Sequence, residues 1–217
     1  MTKCVGLCTD GAREMCSRNS SVIVKFRKIN PNVTRMHCNI HREALVSKSL
    51  SDDFRSVLNT SVKLVNFIKA RPLQSRLFEK LCKEMGSNHK SLLLHTEVRW
   101  LSRGKVLTRL VELREEVTYY LDEKNDYVKF LRDEKFILKL TYLADIFSKL
   151  NELNLYLQGL GEDIFSVHNK IRAYMKKLLL WKNNIENKMF DCFESFSNFI
   201  IENQIEVDSI ITYISDH

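Results

Sequence analysis

The sequence has few of the residues that break helices. Of its 217 residues only 6 are glycine and 2 are proline, so turn signals are scarce and long helices are expected. It has no run of about 18 apolar residues, and we therefore expect no membrane span. The N-terminus lacks the charged-then-apolar pattern of a secretory signal. Internal repeats and low-complexity tracts are also absent.

Several short enzyme signatures are missing as well. The chain has no Gly-rich phosphate loop, nucleophile elbow, HExxH or GxGxxG. Its six cysteines lack the spacing of a disulfide framework, which favours a reducing intracellular compartment. They are Cys4, Cys8, Cys16, Cys38, Cys82 and Cys192.

Charge is distributed unevenly along the chain. The net charge is +7, but residues 1–110 hold 21 Lys and Arg against 8 Asp and Glu, whereas residues 111–217 hold 13 against 19. This asymmetry is typical of a protein that meets a polyanion with one face, and it favours a nucleic-acid partner. The alternative is a chance bias of solvated helix faces.

The most informative stretch is residues 89–107, which leads into an amphipathic helix. Ser102 is the expected N-cap, and apolar residues then recur at helical spacing. The first turn carries Arg103 and Lys105, shortly after Arg99. A helix N-terminus is already partially positive, so three cations there would repel one another and the helix end. They therefore indicate a bound anionic ligand, and phosphate is the usual one. The apolar residues are Val106, Leu110, Leu113, Val117 and Leu121.

Trp100 adds an aromatic face beside these cations, on which a base could stack. Two simpler interpretations remain open. Trp100 could anchor the core in front of the helix, and Arg99 could pair with Glu97 or Glu112.

A short α/β arrangement is predicted at the N-terminus. Cys4–Thr9 and Val33–Cys38 have the composition of strands, and Gly11–Asn30 that of a helix with Met15, Val22, Phe26 and Ile29 facing inward. Strand, helix and strand at this spacing predict two parallel strands joined by a crossover. Because a lone parallel pair leaves two open edges, we expect a truncated chain whose missing strands preceded Met1.

The rest of the chain has helical periodicity, which predicts a bundle. The fold class is therefore mostly α. The predicted helices are His41–Leu58, Thr60–Ala70, Leu73–Met85, a helix from Ser102, Glu134–Leu157, and a last long helix from Ile164 through Ile200.

Asp10 follows the first predicted strand, where α/β folds place functional groups. One carboxylate cannot hold the metal pair of two-metal phosphoryl chemistry, and Asp10 could instead cap the next helix. Cys38 and His41 have metal-ligand spacing, although a packed cysteine and a hydrogen-bonded histidine are the simpler interpretation. On one strand, Cys4 and Cys8 are too far apart to share an ion with them.

The remaining histidines, His37, His89 and His95, form no ligand pattern. A second basic cluster is interpreted as a solvated helix face. It comprises Arg172, Lys176, Lys177, Trp181 and Lys182.

Five segments in one order resemble hAT-superfamily transposases. Among these, the sequence is most similar to transposon-derived proteins named after BED zinc-finger or SCAN domains and to the family-with-sequence-similarity 200 proteins. The similarity extends to about Gly161. The segments are CTDGA at 8–12, HCNIHREAL at 37–45, VNFIKARPLQSRLFEKLC at 65–82, LLLHTEVRWLSRGKVL at 92–107 and FSKLNELNLYLQG at 147–159.

The resemblance implies an RNase H-like catalytic domain, here residues 1–45, interrupted by a helical insertion domain, here residues 46–217 and incomplete at its C-terminus. Asp10 matches the second of the family's three catalytic acids, which hold Mg²⁺ or Mn²⁺ in the complete enzyme. Cys38 and His41 match its C-x-x-H motif. Arg99 and Trp100 match its RW pair, where the Trp is thought to stack near a flipped base.

The chain departs from this family at the other two acids. The first would lie before Met1 and the third after His217, so Asp10 is vestigial and no enzyme activity or cofactor is expected. We therefore expect a nuclear, DNA-binding relic. The alternatives are a protein-interaction module that associates with itself through exposed helices, and a transposase or nuclease completed by another chain.

Overall fold

The computed structural model describes residues 4–9, 12–37, 50–94, 102–121, 125–158, 163–206 and 210. The description covers the backbone but not the side chains of four of these residues, namely His37, Ser102, Arg103 and Ile164. The chain divides into two compact units, Met1–Ser49 and Leu50–His217, which we describe separately. The fold is mostly α, as the sequence predicted.

The first unit contains the predicted pair of parallel strands. In its described part, β1 (Gly6–Thr9) and β2 (Thr34–His37) form a two-stranded sheet in which Gly6 lies opposite Thr34. The side-chain amide of Asn30 donates a hydrogen bond to the carbonyl oxygen of Cys4 at 2.9 Å. This bond ties the end of the crossover to the start of the sheet.

The crossover is two helices, so the prediction of one helix over Gly11–Asn30 was wrong. α1 (Arg13–Cys16) ends at Ser17, which is extended, and α2 (Val22–Ile29) begins a new helix. This interruption shifts the helical phase. Ile23 is consequently the buried residue of α2, at 3% exposure, whereas Ile29, which was expected to face inward, is 53% exposed.

The described elements of the second unit are all helices. None of them is long and apolar enough to cross a membrane. They are α3 (Asp52–Lys69), α4 (Pro72–Glu84), α5 (Ser102–Glu112), α6 (Arg114–Tyr120), α7 (Asp126–Arg132), α8 (Glu134–Leu157), α9 (Ile164–Glu186) and α10 (Glu194–Asn203).

α8 is the central helix of this unit and contacts α3, α5, α7, α9 and α10. Its N-terminal half is buried on nearly every side, which only an enclosed helix can sustain. The rings of the core pack around one of its residues, Tyr142, whose centroid lies 5.4 Å from that of Phe193 and 5.6 Å from that of Phe54. The buried residues are Phe136, Ile137, Leu138, Leu140, Thr141, Tyr142, Leu143, Ala144, Asp145 and Phe147.

Three helix boundaries differ from the prediction. The break expected between Leu58 and Thr60 does not occur. α3 continues through Asn59, whose side chain is exposed on the helix surface. The helix from Ser102 is divided at Leu113, although all five of its predicted apolar residues are buried. The last predicted helix ends at Glu186, since Lys188 adopts the left-handed conformation with φ 60°.

Candidate nucleic-acid interface

The first turn of α5 packs very closely on α8. Gly104 is buried, and a Cβ atom at this position would lie 3.0 Å from the carbonyl oxygen of Phe147. It would also overlap the side-chain amide of Asn151. Glycine permits this approach because it has no side chain. The contact therefore fixes the start of α5 against one turn of α8.

α5 and α8 run antiparallel to each other. Arg114, just after the end of α5, lines a groove together with Glu134 and Ile137 at the start of α8. Gly104, near the start of α5, lies instead against Phe147, which is further along α8. The start of α5 is therefore directed towards the C-terminal end of α8.

Asn154 lies one turn beyond Asn151 on this face of α8, at the end where α5 begins. It is 1% exposed, and neither its amide oxygen nor its amide nitrogen has a hydrogen-bond partner in the part of the chain that the structure describes. An unpaired buried polar group destabilises a fold by about 1–3 kcal/mol. A polar group that the described packing leaves unsatisfied thus lies one helical turn beyond Asn151, the residue that Gly104 approaches.

Lys105 is the described cation at the start of α5. It is exposed, no acidic residue occupies the first turn, and Lys105 forms no ion pair with the described residues. Arg109, one turn later, instead donates from Nε to Glu112 at 3.0 Å and from a guanidinium nitrogen to the carbonyl oxygen of Ser91 at 3.2 Å. Lys105 is thus available to a ligand, whereas Arg109 holds the fold together.

The chain that leads to the RW pair is attached to α5 and α6. The Ser87 hydroxyl donates a hydrogen bond to the carboxylate of Glu116 in α6, and Nε2 of His89 lies 3.2 Å from Glu112. Together with Gly104, these contacts hold the chain on both sides of residues 95–101. They also occupy Glu112, one of the two acids considered as a partner for Arg99.

Burial raises the pKa of two acidic groups in the described part of this unit, Cys82 and Asp145. Burial raises the pKa of the Cys82 thiol, and the neighbouring Glu116 carboxylate adds to the effect. Burial also raises the pKa of Asp145, against hydrogen bonds from the amides of Phe196 and Ser195. Within the described ranges, no group of three His, Cys, Asp or Glu residues could hold a metal ion.

Most of the predicted site residues lie outside the described residues, and their roles remain predictions. The structure describes Lys105, together with the backbone of Arg103 in the first turn of α5. Sequence reasoning did not identify Gly104, Asn151 or Asn154 as part of this site. The predicted residues outside the description are Asp10, Cys38, His41, His95, Arg99 and Trp100, together with the side chains of His37 and Arg103.

Comparison with known proteins identifies the family of the helical unit. Residues 37–186 match the FAM200/GTF2IRD2 helical domain, described as FAM200-GTF2IRD2-like, and this domain family derives from hAT-type transposases. No solved structure matches the chain. The match spans α3 to α9 and includes the start of α5 with its contact on α8. The chain therefore belongs to the transposase-derived FAM200/GTF2IRD2-like family.

Proposed function

We propose that this chain is a non-catalytic, transposase-derived protein that binds DNA through the start of α5. The observation that carries the proposal is Lys105, which is exposed in an acid-free first turn beside the fixed residue Gly104. A helix N-terminus offers unpaired amides and a partial positive charge. A backbone phosphate of DNA can accept hydrogen bonds from these amides, and its negative charge complements the positive end of the helix.

Each residue of the predicted interface has a separate role. Arg103 and Lys105 neutralise phosphates at the helix start, and Arg99 adds a third cation. Trp100 stacks on an unpaired base, an interaction worth about 1–3 kcal/mol per base. The attachments of Ser87 to α6 and of Gly104 to α8 support the proposal because they hold the chain on both sides of the intervening segment.

The decisive experiment is a salt titration of DNA binding. Fluorescence anisotropy with a labelled duplex measures the association constant of the wild-type chain and of a double Arg103→Ala, Lys105→Ala variant. Each phosphate contact contributes about 0.9 to the slope of log K against log salt. We expect the double variant to bind more weakly and to lower that slope by about 2.

A charge-matched control separates a defined site from general attraction. The control replaces exposed Lys129 and Lys135 by alanine, which removes the same net charge from α7 and α8. The control should leave the slope unchanged. The proposal fails if the wild-type chain does not bind DNA at about 50 mM salt, or if the control weakens binding as much as the double variant.

The stacking role of Trp100 has its own test. Trp100→Leu should weaken binding to a duplex with an unpaired terminal base more than binding to a blunt duplex, because only the former offers a free base face. Equal losses on both substrates would assign Trp100 to the core instead.

The absence of catalysis is tested with supercoiled plasmid and Mg²⁺ or Mn²⁺. A single family acid, Asp10, cannot clamp two metal ions, so the plasmid should remain intact. Nicking that disappears in an Asp10→Ala variant would show that another chain completes the site. A nuclear location follows from the proposed DNA partner, and microscopy of the tagged full chain tests it.

A further inference from the structure

α9 has an unusually open surface for a helix of the second unit. None of its described side chains, from Phe165 to Glu186, is buried. Three apolar residues in its middle turns form what we call the α9 stripe: Met175, Leu178 and Leu179, which are 59%, 43% and 69% exposed. Positions three and four apart lie side by side on a helix, so these side chains form one patch. The described part of the unit leaves this patch uncovered.

α9 packs on the rest of the described unit through the side that carries Trp181. Trp181 packs edge-on against Tyr174 with centroids 5.6 Å apart, and the ammonium group of Lys149 lies 4.7 Å from the Trp181 ring. Lys170 donates to the carbonyl oxygen of Tyr156 at 2.7 Å. At about 100° per residue, Leu179 lies almost opposite Trp181. Leu178, three residues before Trp181, lies next to it and forms the inner edge of the stripe. Met175 and Leu179 form the outer part of the stripe, which is turned away from the side that carries Trp181.

Cations border the stripe. Residues 164–186 contain five Lys and Arg and a single acid, Glu186. Glu186 lies 3.9 Å from Lys182. The exposed cations that flank the stripe, which we call the flanking cations, are Arg172, Lys176 and Lys182.

We propose that the α9 stripe docks an acidic amphipathic helix of another protein. An apolar face with anchors at i, i+3 and i+4 fits a stripe of this width, and carboxylates on its edges meet the flanking cations. This inference concerns a partner and a surface distinct from the DNA interface at the start of α5.

Charge disfavours a second copy of this chain as the occupant. Two α9 helices face to face would bring ten cations together with only two acids, from the composition of residues 164–186, and like charges at an interface are repulsive.

The test uses a synthetic amphipathic peptide of about 20 residues, with leucines on one face and glutamates along both edges. A control peptide carries lysines in place of the glutamates. Anisotropy with the full chain should show binding of the acidic peptide and not of the basic one. Met175→Asp with Leu179→Asp should weaken that binding about a hundredfold, because two apolar anchors are lost.

A charge swap gives a result that misfolding cannot produce. Arg172→Glu with Lys176→Glu should lose the acidic peptide and gain the basic one. The matched pair Lys129→Glu and Lys135→Glu, on α7 and α8, should leave both peptides unaffected. Binding of DNA at the start of α5 should persist in the Met175→Asp, Leu179→Asp variant, so that the two proposals fail independently.

Three results would overturn the proposal. The first is no binding of the acidic peptide, or equal binding of both peptides. The second is a concentration-dependent dimer of the wild-type chain in sedimentation that the Met175→Asp, Leu179→Asp variant abolishes. The third is binding of anionic phosphatidylserine vesicles that the same variant abolishes.

Discussion

The carboxylate of Asp145 accepts a hydrogen bond from the backbone N–H of Phe196 at 3.0 Å. Its other oxygen accepts from the N–H of Ser195 at 3.2 Å. A buried acid of α8 therefore supplies the first turn of α10 with the acceptors that its free amides require. This contact joins α8 and α10 through residues that lie fifty positions apart in the sequence.

Removal of this acceptor should weaken the second unit. We expect Asp145→Ala to lower the free energy of unfolding by about 1–3 kcal/mol, because two amides lose their partner in a part-buried site. Urea unfolding followed by circular dichroism measures the change. Glu152→Ala, at an exposed position on the same helix, should stay within about 0.5 kcal/mol. Equal losses in the two variants would show that the cap contributes nothing.

Gly104→Ala tests the close contact between α5 and α8. Alanine favours a helix over glycine by about 1 kcal/mol, but overpacking costs about 1–3 kcal/mol, and the backbone of Phe147 cannot move like a side chain. We therefore expect a net loss of about 1 kcal/mol in the free energy of unfolding.

Asn151→Ala supplies the second half of the Gly104 test. Added to Gly104→Ala, it should recover part of the loss, since it removes the overlapping amide but leaves the contact with the Phe147 carbonyl. Differential scanning calorimetry of the single and double variants measures both steps. A Gly104→Ala chain more stable than wild type would contradict the close approach.

The sequence predicted features that depend on local pattern. The apolar repeat after Ser102 correctly identified buried Val106 and Leu110, because helical period is a local property. The predicted helix Leu73–Met85 likewise corresponds to α4, which begins one residue earlier, at Pro72. The two parallel strands followed from the length of their connection.

Contacts between distant residues were not predictable from that pattern. Gly104 follows the expected N-cap and has no local signal for its contact with Phe147, 43 residues later. Asp145 and Asn154 interrupt the apolar repeat of α8 as ordinary polar residues would. The burial of Asp145 follows from its contact with α10, and the burial of Asn154 is seen only in the folded chain.

Asn154→Leu should stabilise the protein. Leucine has a similar shape, and the substitution removes two buried amide atoms without described partners. Because such an unpaired group costs about 1–3 kcal/mol, the free energy of unfolding should rise by a similar amount. Chemical denaturation of the variant measures the gain. Asn154→Asp should act in the opposite direction, because it places a charge in the same site. A loss of stability in Asn154→Leu would show that the amide has a partner in the folded protein.

Tyr142 should make the protein sensitive to alkali. Burial among the aromatic rings raises the pKa of its phenol to about 12 from 10.0, and repulsion from the Cys192 thiolate adds to the effect. Between pH 10 and about pH 12, the phenol of Tyr142 loses its proton in the unfolded chain but keeps it in the native chain. The contribution of this group to stability therefore falls as pH rises through that window.

The sign of this effect is measurable against Tyr142→Phe, which lacks the phenol. The stability of the wild type relative to the variant should fall by about 2 kcal/mol between pH 10 and 12. Urea unfolding across that range gives the difference, and titration of the tyrosinate absorbance locates the pKa itself. The other tyrosines titrate in both proteins, so their contributions cancel. A difference that stays constant with pH would mean that the phenol ionises as readily in the native state as in the unfolded chain.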